Sequence, residues 1–114
     1  MRWMLRSKIH KATVTDADLS YEGSIAIDED LIDAVGLLAG EKVLVASNSS
    51  GNRLETYVIT GERGSGVICM NGAAALLIKK GEEIVIMGFE LSTGPVVPKT
   101  ILLGPGNRVL RRTE

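Results

Sequence analysis

The chain has 114 residues, 45% of them hydrophobic and 24% charged. That is the composition of a single folded domain over residues 1–114, and it excludes a disordered or fibrous polypeptide. Thirteen basic and fourteen acidic residues leave a net charge of −1, which argues against broad attraction to nucleic acid or to a membrane surface.

Strand patterns dominate the chain. Residues 3–15, WMLRSKIHKATVT, alternate: Trp3, Leu5 and Ile9 fall on one face, and Met4, Arg6, Lys8 and His10 on the other. Residues 28–36, DEDLIDAVG, predict a short helix. Asp28 is its cap, Glu29 and Asp30 suit its positive end, and Gly36 closes it. Leu31, Ile32 and Val35 form its apolar stripe. EKVLVAS (41–47) and RLETYVITG (53–61) are strands on either side of the polar turn NSSGN, and GVICM (66–70) is a further strand. NGAAALLIK (71–79) predicts a second short helix starting at Asn71. EEIVIMGFE (82–90) is a strand after the turn KKGE. The last stretch, 92–114, holds all three prolines and predicts an irregular or edge segment ending in a mobile basic tail.

Cys69 is the only cysteine, so neither an internal disulfide nor a cysteine-based metal site is expected. Its apolar neighbours predict a buried, inert thiol. No run of about 20 apolar residues is present to span a bilayer, and MRWMLRSKIHK is too short and too charged for a secretory signal. A cytoplasmic protein is the expectation. A chain this small buries only part of its surface, so self-association is expected as well.

The sequence repeats at an offset of 41 residues. Gly23-Ser24 matches Gly64-Ser65, Gly40-Glu41 matches Gly81-Glu82, and Val43 and Val45 match Ile84 and Ile86. Each copy reads strand, Gly-Ser turn, strand, helix, Gly-Glu turn, strand. Neither copy is large enough to close a core, so the two must interlock. A small closed barrel with pseudo-twofold symmetry follows, because closure removes exposed strand edges.

The two Gly-Ser pairs have different surroundings: Tyr21-Glu22 precedes the first, Glu62-Arg63 the second. Glycine allows backbone conformations closed to other residues. A serine hydroxyl held behind the preceding carbonyl can attack it and turn the peptide bond into an ester. Elimination of that ester leaves dehydroalanine, and hydrolysis then leaves a pyruvoyl group on a new N-terminus. A pyruvoyl carbonyl can form a Schiff base with an amine and withdraw electrons from its α-carbon, as pyridoxal phosphate does.

KIHKATVTDADLSYEGSIAID, GNRLETYVITGERGSGVI and NGAAA closely resemble the pyruvoyl-dependent aspartate 1-decarboxylases of bacteria, with similarity from about residue 3 to residue 90. The resemblance implies a mainly β fold, the double-psi β-barrel with short helices. It also implies a homotetramer with active sites between adjacent subunits, and conversion of L-aspartate to β-alanine for pantothenate and coenzyme A. By the same resemblance, cleavage falls between Gly23 and Ser24, and Ser24 becomes the pyruvoyl cofactor. Tyr57 would return a proton after carbon dioxide leaves, and Thr56 would assist self-cleavage and lie beside the substrate. Arg53 would bind a substrate carboxylate, and Lys8 would balance charge. Gly72, Ala73 and Ala74 would contact substrate, Asn71 would hold their loop, and His10 and Tyr21 would support.

The residue types suit these roles. Arginine offers a planar fork that matches a carboxylate and keeps its charge. On a strand from 53 to 59, Arg53 and Tyr57 share one face and Thr56 takes the other, a split that fits a site at a subunit boundary. The small residues of NGAAA at a helix start leave backbone N–H groups free to meet an anion. Ala46 departs from the resemblance, since many such enzymes carry an aromatic residue there. Two other readings are a non-catalytic double-psi barrel that only binds, and a swapped-hairpin DNA-binding domain, which the balanced charge disfavours. The sequence leaves open the need for a maturation factor.

Overall fold

A computed structural model describes residues 1–113. Its strands are β1 (Arg2–Thr13), β2 (Asp16–Asp18), β3 (Ser24–Asp28), β4 (Lys42–Ser47), β5 (Arg53–Gly61), β6 (Ile68–Asn71), β7 (Glu83–Ser92), β8 (Lys99–Leu103) and β9 (Val109–Thr113). Two helices, α1 (Glu29–Val35) and α2 (Ala74–Leu77), and a 3-10 turn at Pro105–Asn107 complete it. The strands lie in the order β2-β6-β3-β5-β4-β7-β1-β8-β9. Val14 and Thr15 carry β1 directly into β2, and the Thr15 N–H donates to the Ile68 carbonyl at 2.8 Å. The two ends of the run from β2 to β1 are therefore one stretch of chain, and the sheet closes into a double-psi β-barrel. Ile9, Ile25, Val45, Val58, Ile84 and Ile86 are all fully buried in its core.

The repeat shows how the halves interlock. The Gly40 N–H donates to the Val58 carbonyl at 2.7 Å, and the Val58 N–H returns a bond to the Glu41 carbonyl at 3.0 Å. In the other half Gly81 donates to Val14 at 2.8 Å, and Val14 donates to Glu82 at 3.0 Å. Each Gly-Glu turn thus clasps the opposite half, one at β5 and the other just past the end of β1. Both glycines need positive φ, 87° at Gly40 and 92° at Gly81, which a side chain would strain. The glutamates brace their own turns: Glu41 Oε1 accepts from the Leu38 N–H at 3.0 Å, and Glu82 Oε2 from the Lys79 N–H at 2.7 Å.

Helix α1 forms as its sequence dictates. Asp28 Oδ1 accepts from the Asp30 N–H at 2.8 Å, Gly36 closes the helix at φ 71°, and Leu31, Ile32 and Val35 are buried. The Asp28 carboxylate also holds the loop between the two neighbouring strands, β5 and β6, accepting from the Gly64 N–H at 3.0 Å and the Gly66 N–H at 2.8 Å. Asp28→Ala should therefore lose a cap and two charge-assisted bonds, lowering stability by about 3 kcal/mol in urea unfolding. A loss below about 0.5 kcal/mol would show that the cap and the two loop bonds add no more than an ordinary exposed side chain does.

Three expectations change. First, β1 carries two irregularities, between Leu5 and Ser7 and between Ile9 and Ala12. Arg6 is the extra residue of the first, and its guanidinium pairs with Glu41. The bulge reverses the alternation. Leu5, opposite Phe89, shares the outer face with Lys8, opposite Met87, while Ser7 and Ile9 turn inward. Trp3 is 69% exposed rather than level with Ile9. The second irregularity holds Lys11 at φ 59°.

Second, α2 is a single turn, and Asn71 ends β6 instead of capping a helix. Third, the C-terminal stretch is an edge segment, as expected, but only residues 93–98 are irregular, and two ordered strands follow them. β8 pairs parallel to β1, and β9 takes the sheet edge antiparallel to β8. Between them Asn107, at φ 56° and buried, accepts from the Thr13 N–H at 2.8 Å and donates to the Thr13 and Gly66 carbonyls. Among the described residues no helix is long and apolar enough to cross a membrane.

Candidate active site

The two Gly-Ser pairs occupy unlike structures. Gly64, at φ 80°, and Ser65 form an exposed turn, and Ser65 Oγ donates to the Glu62 carbonyl at 2.6 Å. Ser24 instead opens β3 and is fully buried. Its Oγ accepts from Asn71 Nδ2 at 3.0 Å and reaches the Glu22 carbonyl at 3.4 Å. Strand pairing makes this contact, because Ser24 lies directly opposite Asn71 where β3 runs antiparallel to β6.

Gly72, at φ 66°, presses against the residue before Ser24. A Cβ on Gly72 would stand 2.8 Å from Gly23 N and Cα and 3.0 Å from the Tyr21 carbonyl oxygen. The Gly72 N–H donates to the Asp18 carbonyl at 2.8 Å. Ser20 binds Asp18 Oδ1 through its hydroxyl and its amide and holds that carboxyl below the usual carboxylate range. Gly72→Ala should force the 21–24 segment aside and lower the melting temperature by several degrees. An unchanged melting curve would mean that the segment yields freely. At Gly23 the situation is reversed, since an added Cβ would meet nothing within 4 Å.

β5 runs parallel to β3 with Ile25 opposite Val58, so Tyr57 comes level with Ser24 just beyond the ladder. Tyr57 is 41% exposed on the outer face with Arg53, while Thr56 is half-buried on the inner face opposite buried Val43. The predicted split along this strand is present. Ala73 is exposed and Ala74 buried at the start of α2.

Other candidates lie elsewhere on the barrel. Lys8 is opposite Met87, Met87 is opposite Leu44, and Leu44 is opposite Glu55. Lys8 therefore stands four strand steps from Ser24, about 19 Å along the wall. Half-buried His10 is on the same strand and face as Lys8. Its Nδ1 is enclosed and has no hydrogen-bond partner among the described residues. Arg53, opposite Ala46, is four residues along β5 from Tyr57, about 13 Å. Tyr21, 55% exposed, points its ring to solvent beside the Gly23 backbone. One barrel thus gathers Gly23, Ser24, Asn71 and Gly72 with Tyr57 alongside, and leaves Lys8, His10 and Arg53 on its outer face. That face also carries a groove of about 550 Å³ lined by Trp3, Leu44 and Phe89, which does not include Ser24.

The sequence reading missed the part played by Cys69. The thiol is half-buried rather than buried and lies 3.3 Å from Asn71 Oδ1. Burial, and then the negative charges of Asp16 and Asp18, push its pKa up, so it keeps its proton. The available signal was its position two residues before Asn71, on the same face of one strand.

The molecule is a small, mainly β protein, a closed double-psi barrel in which the serine of one Gly-Ser is exposed and that of the other is buried and bonded by an asparagine. The sequence profile described as Aspartate decarboxylase matches residues 1–110. The aspartate 1-decarboxylase of Bacillus velezensis is 50% identical over 112 residues, covering 95% of this chain and 88% of that protein. Those of Neisseria meningitidis and Bacillus pumilus are 49% and 53% identical with the same coverage. The chain belongs to the aspartate decarboxylase family.

Proposed function

We propose that the protein converts L-aspartate to β-alanine and carbon dioxide with a pyruvoyl group made from its own Ser24, supplying β-alanine for pantothenate in the cytoplasm. The observation that carries this reading is the contrast between the two serines. Ser24 Oγ is buried and held by a side chain, whereas Ser65 Oγ closes an ordinary turn.

Ser24 Oγ attacks the Gly23 carbonyl carbon, the carbon–nitrogen bond breaks, and the hydroxyl proton passes to the freed nitrogen. Loss of the Ser24 α-proton and of the Cβ–Oγ bond then releases the Gly23 carboxylate. Water enters at the Ser24 α-carbon and ammonia leaves. Thr56 assists this cleavage from the inner side of β5. The residues around Ser24 suit a small carbonyl group. Asn71 supplies a hydrogen-bond donor, and Gly72 brings its backbone close without a side chain.

The pyruvoyl group, when in place, binds the substrate amine and draws electrons from the α-carbon. This chain's residues bind and orient aspartate. Arg53 holds the side-chain carboxylate with its fork, which turns the α-carboxylate toward its departure. Lys8 balances charge, with His10 and Tyr21 as supports. Tyr57, level with Ser24, returns the proton to the α-carbon, and Gly72, Ala73 and Ala74 line the substrate.

The complete site is built between adjacent copies in a homotetramer, a reading that the four strand steps separating Lys8 and His10 from Ser24 support. Co-expressing Ser24→Ala with Lys8→Ala, each inactive alone, so that mixed tetramers assemble without unfolding, should restore part of the activity. No recovery from mixed tetramers would place the whole site within one barrel. Cyanoborohydride with aspartate should fix the substrate on the 91-residue fragment beginning at Ser24, seen as added mass. Normal decarboxylation with no trapped adduct would overturn the reading.

A further inference from the structure

We infer that Cys69 is a positioning residue for the bond-breaking hydroxyl, holding the Asn71 amide so that its N–H rather than its oxygen faces Ser24. The inference rests on the proposed self-cleavage at Gly23-Ser24. Cys69 and Asn71 lie two residues apart on β6 and face the same way. The Cys69 thiol donates to Asn71 Oδ1 at 3.3 Å, and Asn71 Nδ2 donates to Ser24 Oγ at 3.0 Å. A carboxamide has one accepting and one donating end, so a donor at the oxygen decides which end meets the serine.

The orientation matters chemically. With N–H toward Ser24, the amide does not hold the Ser24 proton, which points instead at the Glu22 carbonyl 3.4 Å away, a long contact it can leave for the nitrogen that the acyl shift releases. If the amide turned over, its oxygen would hold that proton and draw the hydroxyl away from the Gly23 carbonyl. The raised thiol pKa keeps the S–H donor in place.

The internal repeat gives an independent comparison. The residue 41 positions before Cys69 is Asp28. Its carboxylate fastens the second Gly-Ser turn through the Gly64 and Gly66 amides. The two copies diverge at this position. A charged acceptor locks the Gly-Ser that stays a turn, and a neutral donor stands behind the one whose serine is buried.

The test follows self-cleavage by intact mass in freshly purified full-length protein, with melting temperature measured alongside. Cys69→Ala and Cys69→Val should cleave about tenfold more slowly than wild type. Cys69→Ser, whose hydroxyl also donates, should cleave within about twofold of wild type. Slow cleavage in Ala and Val with rescue by Ser, at matched melting temperatures or after scaling to the folded fraction, supports the role. Wild-type rates in Ala or Val, or a serine variant as slow as alanine, overturn it while leaving self-cleavage standing. A wild-type chain that stays whole overturns both.

Discussion

Ser24→Ala should remain one chain of 114 residues and release no carbon dioxide from aspartate, whereas the wild type should resolve under denaturing conditions into pieces of 23 and 91 residues. The effect is all-or-none because the substitution deletes both the attacking oxygen and the atoms that become the reactive carbonyl. Little else should change. Ser24 is buried at the start of β3, and alanine fills nearly the same space at the cost of one hydrogen bond from Asn71, about 1–3 kcal/mol for the donor left behind. Ser65→Ala is the matched control from the other repeat, and it should cleave and turn over normally. Decarboxylation by a whole Ser24→Ala chain would refute the mechanism.

Arg53→Ala should still cut itself and yet lose turnover by about a hundredfold or more. The two functions separate because Arg53 is about 13 Å along β5 from Tyr57, outside the cluster of Gly23, Ser24, Asn71 and Gly72. Its proposed partner is the substrate's side-chain carboxylate, so its removal costs orientation as well as binding. kcat should therefore fall together with kcat/KM. Arg53→Lys should recover only part of the loss, since an ammonium carries the charge without the fork. Discrimination against alanine should collapse in parallel, because an unpaired guanidinium no longer penalises a substrate lacking the second carboxylate. Equal losses of self-cleavage and turnover would instead mark Arg53 as a folding residue.

Much of this architecture was legible in the residues. Asp28 and Gly36 announce α1 by their chemistry. The matched Gly40-Glu41 and Gly81-Glu82 turns announce two interlocked halves, and the clasps on Val58 and Val14 show how the interlock is made. The bulge at Arg6 was not legible, because an inserted residue leaves the alternation looking intact while reversing which face is buried. The C-terminal strands were obscured by Pro95, Pro98 and Pro105, and their pairing depends on β1, about 90 residues earlier in the chain. Asn71 looked like a helix cap by local pattern, and only the register of β3 against β6 directs its side chain to Ser24. The contact of Cys69 with Asn71 was hidden for the same reason. The neighbours of Cys69 in sequence are apolar, and the partner that matters is fixed by a strand pairing.

β1 has a further consequence through its position. It pairs with β7 from Arg2 to Thr13, and its middle, Ser7 to His10, is also paired with β8 on the other side. Severing the backbone after Gly23 would free the short N-terminal piece in covalent terms only. The two polypeptides should co-elute in native gel filtration, separate only when boiled in detergent, and reassociate poorly once parted. Maturation would then be a one-way passage, with a molecule in two pieces that depends on never having come apart.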